Sequence, residues 1–350
     1  MIRARIRTGN RISNKRNTIR NRISNAIRIT ISNIITLTLV VLLIAGTFTL
    51  AGCQSDKNEQ QADKDSHAIT FTDDLGRTVT VNNPKRVAAL LGSYADVWCL
   101  AGGTICATAD DAWDDFELEL SEDTVNLGMT KEPSLELLYA ANPDFVIASS
   151  NTKANLEMKD SLEAAGITVA YFDVSDFDDY LRMLKICTDI TGRSDLYEKN
   201  GLDLQEQIDI VIKQSEERVA AEGAPKVLFL RASAASIRAK NSENSVLGEM
   251  LKALGCINIA DSEETLLENL NIEYILGEDP DYIFTVQVGD DTEGVEAALS
   301  ELFGEGSPWS ELTAVKEGRV YHMDKRLYNL KPNARWAEAY EGLERILSGE

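Results

Sequence analysis

Histidine is nearly missing from this chain: His67 and His322 are the only two in 350 residues. Two histidines cannot build a site that rests on several imidazoles with a carboxylate, so direct binding of bare zinc or manganese is not expected. The five cysteines never fall as Cys-x-x-Cys, which removes zinc ribbons and dithiol redox motifs. No Gly-x-Ser-x-Gly elbow, His-Glu-x-x-His pair or Gly-x-x-x-x-Gly-Lys loop occurs, so the chain is not expected to be an enzyme. Basic residues are scarce in the body. Residues 1–53 take nine of the 35 Lys and Arg and none of the acids, leaving 26 bases against 57 acids, a net charge of −31. A body that acidic repels nucleic acid.

What is present begins with an apolar run, residues 31–50, placed after the basic leader and ending at Leu50-Ala51-Gly52-Cys53. Basic leader, apolar stretch and small residues before a cut site make a secretory signal. The Leu-Ala-Gly-Cys ending resembles the bacterial lipoprotein signal. That resemblance implies loss of residues 1–52 and diacylation of Cys53, anchoring the protein to the extracytoplasmic face of the cell membrane. The run is also just long enough to span a bilayer uncleaved. Residues 53–67 then supply the lipidated Cys and a polar, flexible tether. Cys99, Cys106, Cys187 and Cys256 sit among apolar neighbours and read as buried thiols, with pairing of Cys99 and Cys106 left open.

From Ala68 onward strands and helices alternate, which signals parallel sheets covered by helices. A hairpin over 69–82 opens a first lobe, residues 68–192, with strands at 86–91, 104–107, 145–149 and 168–172. Residues 175–221 hold no strand: a helix capped by Ser175 stops at Gly192, and a second runs from Asp195 to about Ala221, interrupted only at Asn200-Gly201. Residues 193–221 are long for an element inside one small domain and suit a strut between two. Strands return at 226–230, 282–286 and 319–322 in a second lobe, residues 222–350. The expected fold is α/β: two Rossmann-like lobes with parallel sheets, joined by a long backbone helix, with a ligand cleft between them.

An internal repeat supports two lobes. Ser134–Ile147 (SLELLYAANPDFVI) echoes Asn271–Phe284 (NIEYILGEDPDYIF), each giving an apolar helix, Pro-Asp and an aromatic-led strand. Glu136 and Glu273 each lie seven residues before the proline. At these residues the chain resembles the helical-backbone class of periplasmic binding proteins, which serves iron–siderophore, haem and cobalamin importers. The likeness is carried also by Asp73-Asp-Leu-Gly-Arg-Thr-Val79, Pro84-Lys-Arg-Val87, Val246–Asn258 and Trp309–Tyr321. It implies a monomer that captures a small molecule for an ABC permease and its ATPase. It also implies one surface Glu per lobe, Glu136 and Glu273, pairing with permease arginines. No cofactor is implied. The expected cargo is a ferric siderophore or another metal chelate, with cobalamin or haem as alternatives and a non-transporting surface sensor or adhesin as a further one.

Ligands of α/β sheets lie beyond the carboxyl ends of the strands. That rule selects Ser93, Tyr94, Trp113, Ser149, Ser150 and Asn151 in the first lobe. In the second it selects Arg231, Ser233, Arg238, Gln287, Arg326, Tyr328 and Lys331, with Arg335 and Trp336 opening the last helix. Tyr94, Trp113, Tyr328 and Trp336 are expected to offer flat apolar contact. The Arg and Lys residues gather positive charge suited to an anionic chelate.

Overall fold

The first sheet lies in the order β5-β4-β3-β6-β7 and is parallel throughout. Its strands are β3 (Val87–Ala89), β4 (Ile105–Thr108), β5 (Val125–Asn126), β6 (Phe145–Ser149) and β7 (Thr168–Phe172). The computed structural model describes residues 68–349, so the signal peptide, Cys53 and the tether lie outside the described residues. An antiparallel hairpin of β1 (Ala68–Thr72) and β2 (Thr78–Asn82) precedes the sheet. It closes the outer edge of β7, with Asp74 N donating to Tyr171 O at 2.9 Å.

The second sheet has the order β10-β8-β11-β12, with β9 also on β8. The strands are β8 (Lys226–Ser233), β9 (Ser236–Lys240), β10 (Ile257–Asn258), β11 (Tyr282–Gln287) and β12 (Val320–Met323). To the expected parallel strands this sheet adds one more: β9 runs antiparallel to β8. The sequence reading ended the strand at Leu230 and missed the tight return through Ala234-Ala235. Beyond this hairpin the two lobes match. The pairs β3–β6 and β8–β11 are the same parallel step, each flanked by the strand that follows by one helix, β4 or β10.

The helices that cover the sheets are α1 (Gly92–Leu100), α2 (Leu135–Ala140), α3 (Phe177–Thr191), α4 (Asp203–Glu222), α5 (Val246–Ala253), α6 (Ile272–Glu278), α7 (Thr292–Phe303) and α8 (Trp336–Ser348). Helix α3 is capped by Asp176, not by Ser175: its carboxylate accepts from Asp179 N at 2.9 Å. Helix α4 extends a helical run that begins at Ser194 and passes through a π turn at Glu198–Leu202. The whole run spans about 43 Å at 1.5 Å per residue. The π turn falls on Asn200-Gly201, where a break was expected. Its geometry frees the Asn200 carbonyl to accept from Tyr180 Oη at 2.7 Å, while Asn200 Nδ2 donates to Leu100 O. Gly201 is buried there because a Cβ would sit 3.0 Å from Leu181 of α3.

One hydrophobic core runs through both lobes. It joins Trp98, Phe145 and Phe172 of the first to Phe229, Leu247 and Phe284 of the second, by way of Phe177 and Tyr180 on α3, Ile208 and Val211 on α4, and Trp336 and Tyr340 on α8. Each sheet has a separate cluster on its other face. The apolar stripe of α8 lies along α4, and the buried Arg218–Glu344 pair, at 2.9 Å, joins these two helices.

The repeat is repeated in atomic detail. Ser134 and Asn271 cap α2 and α6, accepting from backbone N–H groups in the first turn. Each helix ends in a left-handed residue directly before proline, Asn142 with φ 48 and Asp279 with φ 42. The following aspartate caps the neighbouring strand. Asp144 accepts from Lys85 N and Arg86 N at 2.8 and 3.0 Å, and Asp281 from Lys226 N at 2.8 Å. Charged acceptors on backbone N–H groups are among the stronger hydrogen bonds. Asp144→Ala is therefore expected to lower the unfolding free energy by about 1–3 kcal/mol in urea titrations. Asp144→Asn, which keeps one acceptor oxygen, is expected to lose less; equal loss from both would remove the charge-assisted reading.

Candidate functional site

The carboxyl ends of the strands are joined across the lobes by a crossing segment, Asp324–Arg335, that follows β12. Asp324 caps the short helix Lys325–Tyr328, accepting from Leu327 N at 2.9 Å. The chain then runs against α1 of the first lobe. Asn333, left-handed at φ 55, donates from Nδ2 to Ser93 O at 2.9 Å and to Asp96 Oδ2 at 2.8 Å. Arg326 reaches the same Asp96 oxygen at 3.2 Å, and its guanidinium lies 4.0 Å from the Phe116 ring centroid. Lys325 Nζ holds one carboxylate from each lobe, Asp115 at 2.8 Å and Asp290 at 2.9 Å. Burial pushes the Arg326 pKa down and the Asp96 pKa up, so desolvation outweighs their mutual attraction. This pair fixes position more than it adds stability.

Cations without an ion pair among the described residues line the second-lobe side. Arg231, at the end of β8, is half-buried, and its Nε has no hydrogen-bond partner. Burial alone lowers its pKa. Arg238 stands directly opposite it on β9. Lys240 lies on the same face, since alternate strand residues share a face; burial and then Arg231 push its pKa down. Lys331 comes from the crossing segment. Burial lowers its pKa, with Asp173 and Asp179 opposing and Arg231 reinforcing the shift. Lys331 is thus placed between the end of β7 in the first lobe and the end of β8 in the second.

On the first-lobe side, Trp113 is half-buried on the short helix Asp111–Asp114 and Asn151 is exposed after β6. Asn151 N donates to Ser149 Oγ at 3.1 Å. Asp111 holds the β3–α1 turn by accepting from Gly92 N at 2.8 Å. No residue but glycine fits there, because a Cβ would meet Ala112 N at 2.4 Å.

Several expected contacts are corrected. Tyr94 is 1% exposed and donates from Oη to Phe172 O at 2.9 Å, so it belongs to the core. Tyr328, 5% exposed, donates to Ala339 O at 3.0 Å. Trp336 is fully buried against Phe177 and Tyr180. Aromatic residues beyond strand ends were read as ligand platforms, and these three instead fill the seam between lobes. Arg335 pairs with Glu338 at 2.7 Å on the outside of α8, and Arg326 spends its charge on Asp96. Of the residues the sequence selects, Arg231 and Lys331 lie near enough to repel each other and Arg238 stands opposite Arg231. Sequence reasoning missed Lys240, Asp96 and Lys325. Lys240 was visible as the end of the alternation Ser236-Ile-Arg-Ala-Lys240, and Asp96 as the lone charge in the apolar stretch Gly92–Leu100. Of the histidines, His322 lies on β12 with Nδ1 2.7 Å from Thr285 Oγ1. Among the described residues no group of three or more His, Cys, Asp or Glu is arranged to hold a metal ion.

Two lobes on one helical spine, with strand ends meeting across a polar crevice, define a two-lobed solute-binding protein. A family model described as periplasmic binding protein matches residues 87–327, and the chain belongs to that family. A Bacillus subtilis protein named as an ABC transporter substrate-binding lipoprotein, YhfQ, is 24% identical over 319 residues, 87% of this chain and 95% of its own. The Fe(3+)-citrate-binding protein YfmC of the same organism is 26% identical over 303 residues, 85% of this chain and 91% of its own. Among solved structures, Staphylococcus aureus SirA complexed with staphyloferrin B has a TM-score of 0.63 at 20% identity, covering 80% of this chain and 98% of that one.

The Asp111 carboxyl is pushed up to about 6, first by burial and then by Asp110 and Asp115, against the Gly92 hydrogen bond. The folded state therefore binds this proton more tightly than the unfolded chain, whose reference value is 3.8. Its contribution is full below about pH 4 and is lost as pH rises through about 6. Asp111→Asn keeps an oxygen for Gly92 N. It is expected to gain about 1–2 kcal/mol over the parent at pH 7.5 and nothing at pH 3.5, read from urea titrations at both values. A uniform gain or loss at the two pH values would overturn this assignment.

Proposed function

We propose that the protein is the extracytoplasmic, lipid-anchored solute-binding component of an ABC importer, capturing a ferric siderophore or similar metal chelate and delivering it to a permease driven by an ATPase. The observation that carries this reading is a surface presented twice. Glu136 and Glu273 occupy the second position of α2 and α6, at matching points of the two repeats. Both are exposed and neither has an ion-pair partner among the described residues. Two free carboxylates on rigid helix starts suit bidentate docking by arginines on another protein. The names of the Bacillus relatives, substrate-binding lipoprotein and Fe(3+)-citrate binding, support the same class of cargo and the same anchoring through Cys53.

The test separates capture from delivery. Glu136→Ala/Glu273→Ala is expected to bind chelate with unchanged Kd in the purified protein, while uptake of the radiolabelled iron chelate by cells falls at least tenfold. Each single variant is expected to lose less than the pair. Undiminished uptake by the double variant, or a weakened Kd, would remove the docking role.

A further inference from the structure

Three half-buried cations without partners are an anomaly on a body with 57 acidic residues. Elsewhere the buried and half-buried cations are matched: Arg77 with Asp73, Arg182 with Asp74 and Asp179, Arg218 with Glu344, Lys325 with Asp115. Arg231, Lys240 and Lys331 have no ion pair and no side-chain hydrogen bond among the described residues. Leaving a buried charge unpaired is costly, and an apolar or neutral residue would remove the cost. Their retention together needs a counter-ion that the described residues do not supply.

We propose that Arg231, Lys240 and Lys331 form an anion-binding site spanning the two lobes, so that the cargo is a ferric chelate of net negative charge, held through its carboxylates. This rests on the reading above that the crevice takes a metal chelate. The placement of the three groups sets the geometry of recognition. Arg231 and Lys240 share one face of the β8–β9 hairpin and move with the second lobe. Lys331 belongs to the crossing segment, which Asn333 and Arg326 pin to Asp96 of the first. The nearest acids do not serve it. Asp179 is engaged by Arg182 Nη2 and Ser175 N, and Asp173 makes no side-chain hydrogen bond. An anion between Lys331 and Arg231 therefore relieves repulsion across the crevice and ties the lobes together. The planar guanidinium fork fits a carboxylate in two parallel bonds, and the ammonium groups act as point charges on either side. A cargo spanning both lobes needs at least two such groups.

The experiment compares ferric citrate with a neutral ferric trihydroxamate, by tryptophan fluorescence titration of the parent protein and of Arg231→Gln, Lys331→Gln and Lys331→Arg. Ferric citrate is expected to bind the parent at least tenfold tighter than the trihydroxamate, with affinity falling as salt rises. Arg231→Gln and Lys331→Gln are each expected to weaken ferric citrate about tenfold and flatten its salt dependence, with Lys331→Arg largely restoring it. Melting temperatures of the unliganded Gln variants are expected to equal or exceed the parent's, because each removes an unpaired charge. A residue serving the fold alone would lower them. Tight binding of the trihydroxamate, untouched by these substitutions, would overturn the anion site and leave chelate capture standing. Binding of neither chelate would overturn both.

Discussion

Everything else in this molecule depends on burying one aromatic seam between the lobes. Trp336 meets Phe177 at 5.9 Å, Tyr180 at 6.5 Å and Tyr340 at 6.4 Å between ring centroids. These rings join α3 and α8 to each other and to the core that both sheets face. Truncating a buried aromatic of this size typically costs about 3–5 kcal/mol, a large share of the ordinary stability of a folded protein. Two independently hinged domains would not share such a core. The lobes are therefore held by burial along their back, and only the front, where the strand ends meet, is free to be polar.

That division explains the charge arrangement at the front. The crossing segment is fixed by hydrogen bonds and ion pairs, with Asn333 held in the left-handed region, a conformation Asn tolerates when its side chain is bonded locally. Beside this fixed frame, Arg231 and Lys331 stay close, and neither has an ion pair among the described residues. The aromatic seam supplies the stability that lets such a repulsive arrangement persist, and rigidity keeps it from relaxing. A preorganised crevice loses less freedom on binding than a flexible one, so a helical spine with a shared core favours capture by small movements over wide closure.

Much of this architecture was legible in the sequence. Periodicity and the Pro-Asp repeat located β6 and β7 to the residue and revealed two related lobes, because local patterning and global fold agree there. The connecting helix was readable for the same reason. The shortfalls have physical causes. The hairpin through β9 was hidden because Arg231, Arg238 and Lys240 break the apolar pattern of a core strand, and they do so because they face the crevice. Tyr94, Tyr328 and Trp336 were misplaced because position along the chain gives the end of a strand but not the direction of a side chain. Each lies near a strand end yet turns back into the seam. Charges in apolar surroundings were the better guide to the crevice, since burying an ion requires a reason that burying an aromatic ring does not.

The two halves have kept some features and lost others, and the split follows what each surface faces. The helix caps at Ser134 and Asn271, the left-handed Asn142 and Asp279, the prolines and the strand-capping Asp144 and Asp281 all correspond. So do Glu136 and Glu273, at the same step of each repeat. At the crevice nothing corresponds. The first lobe presents an acidic short helix with Trp113, and the second presents a basic hairpin with no counterpart. Backbone caps are held equal by the folding they support in either half. Helix starts bearing one carboxylate each are fit for a partner that offers the same contact twice. A small cargo meets each lobe on a different side, so the crevice walls have no reason to match. Their divergence fits the recognition proposed there, and the retained likeness fits the docking proposed at the helix starts.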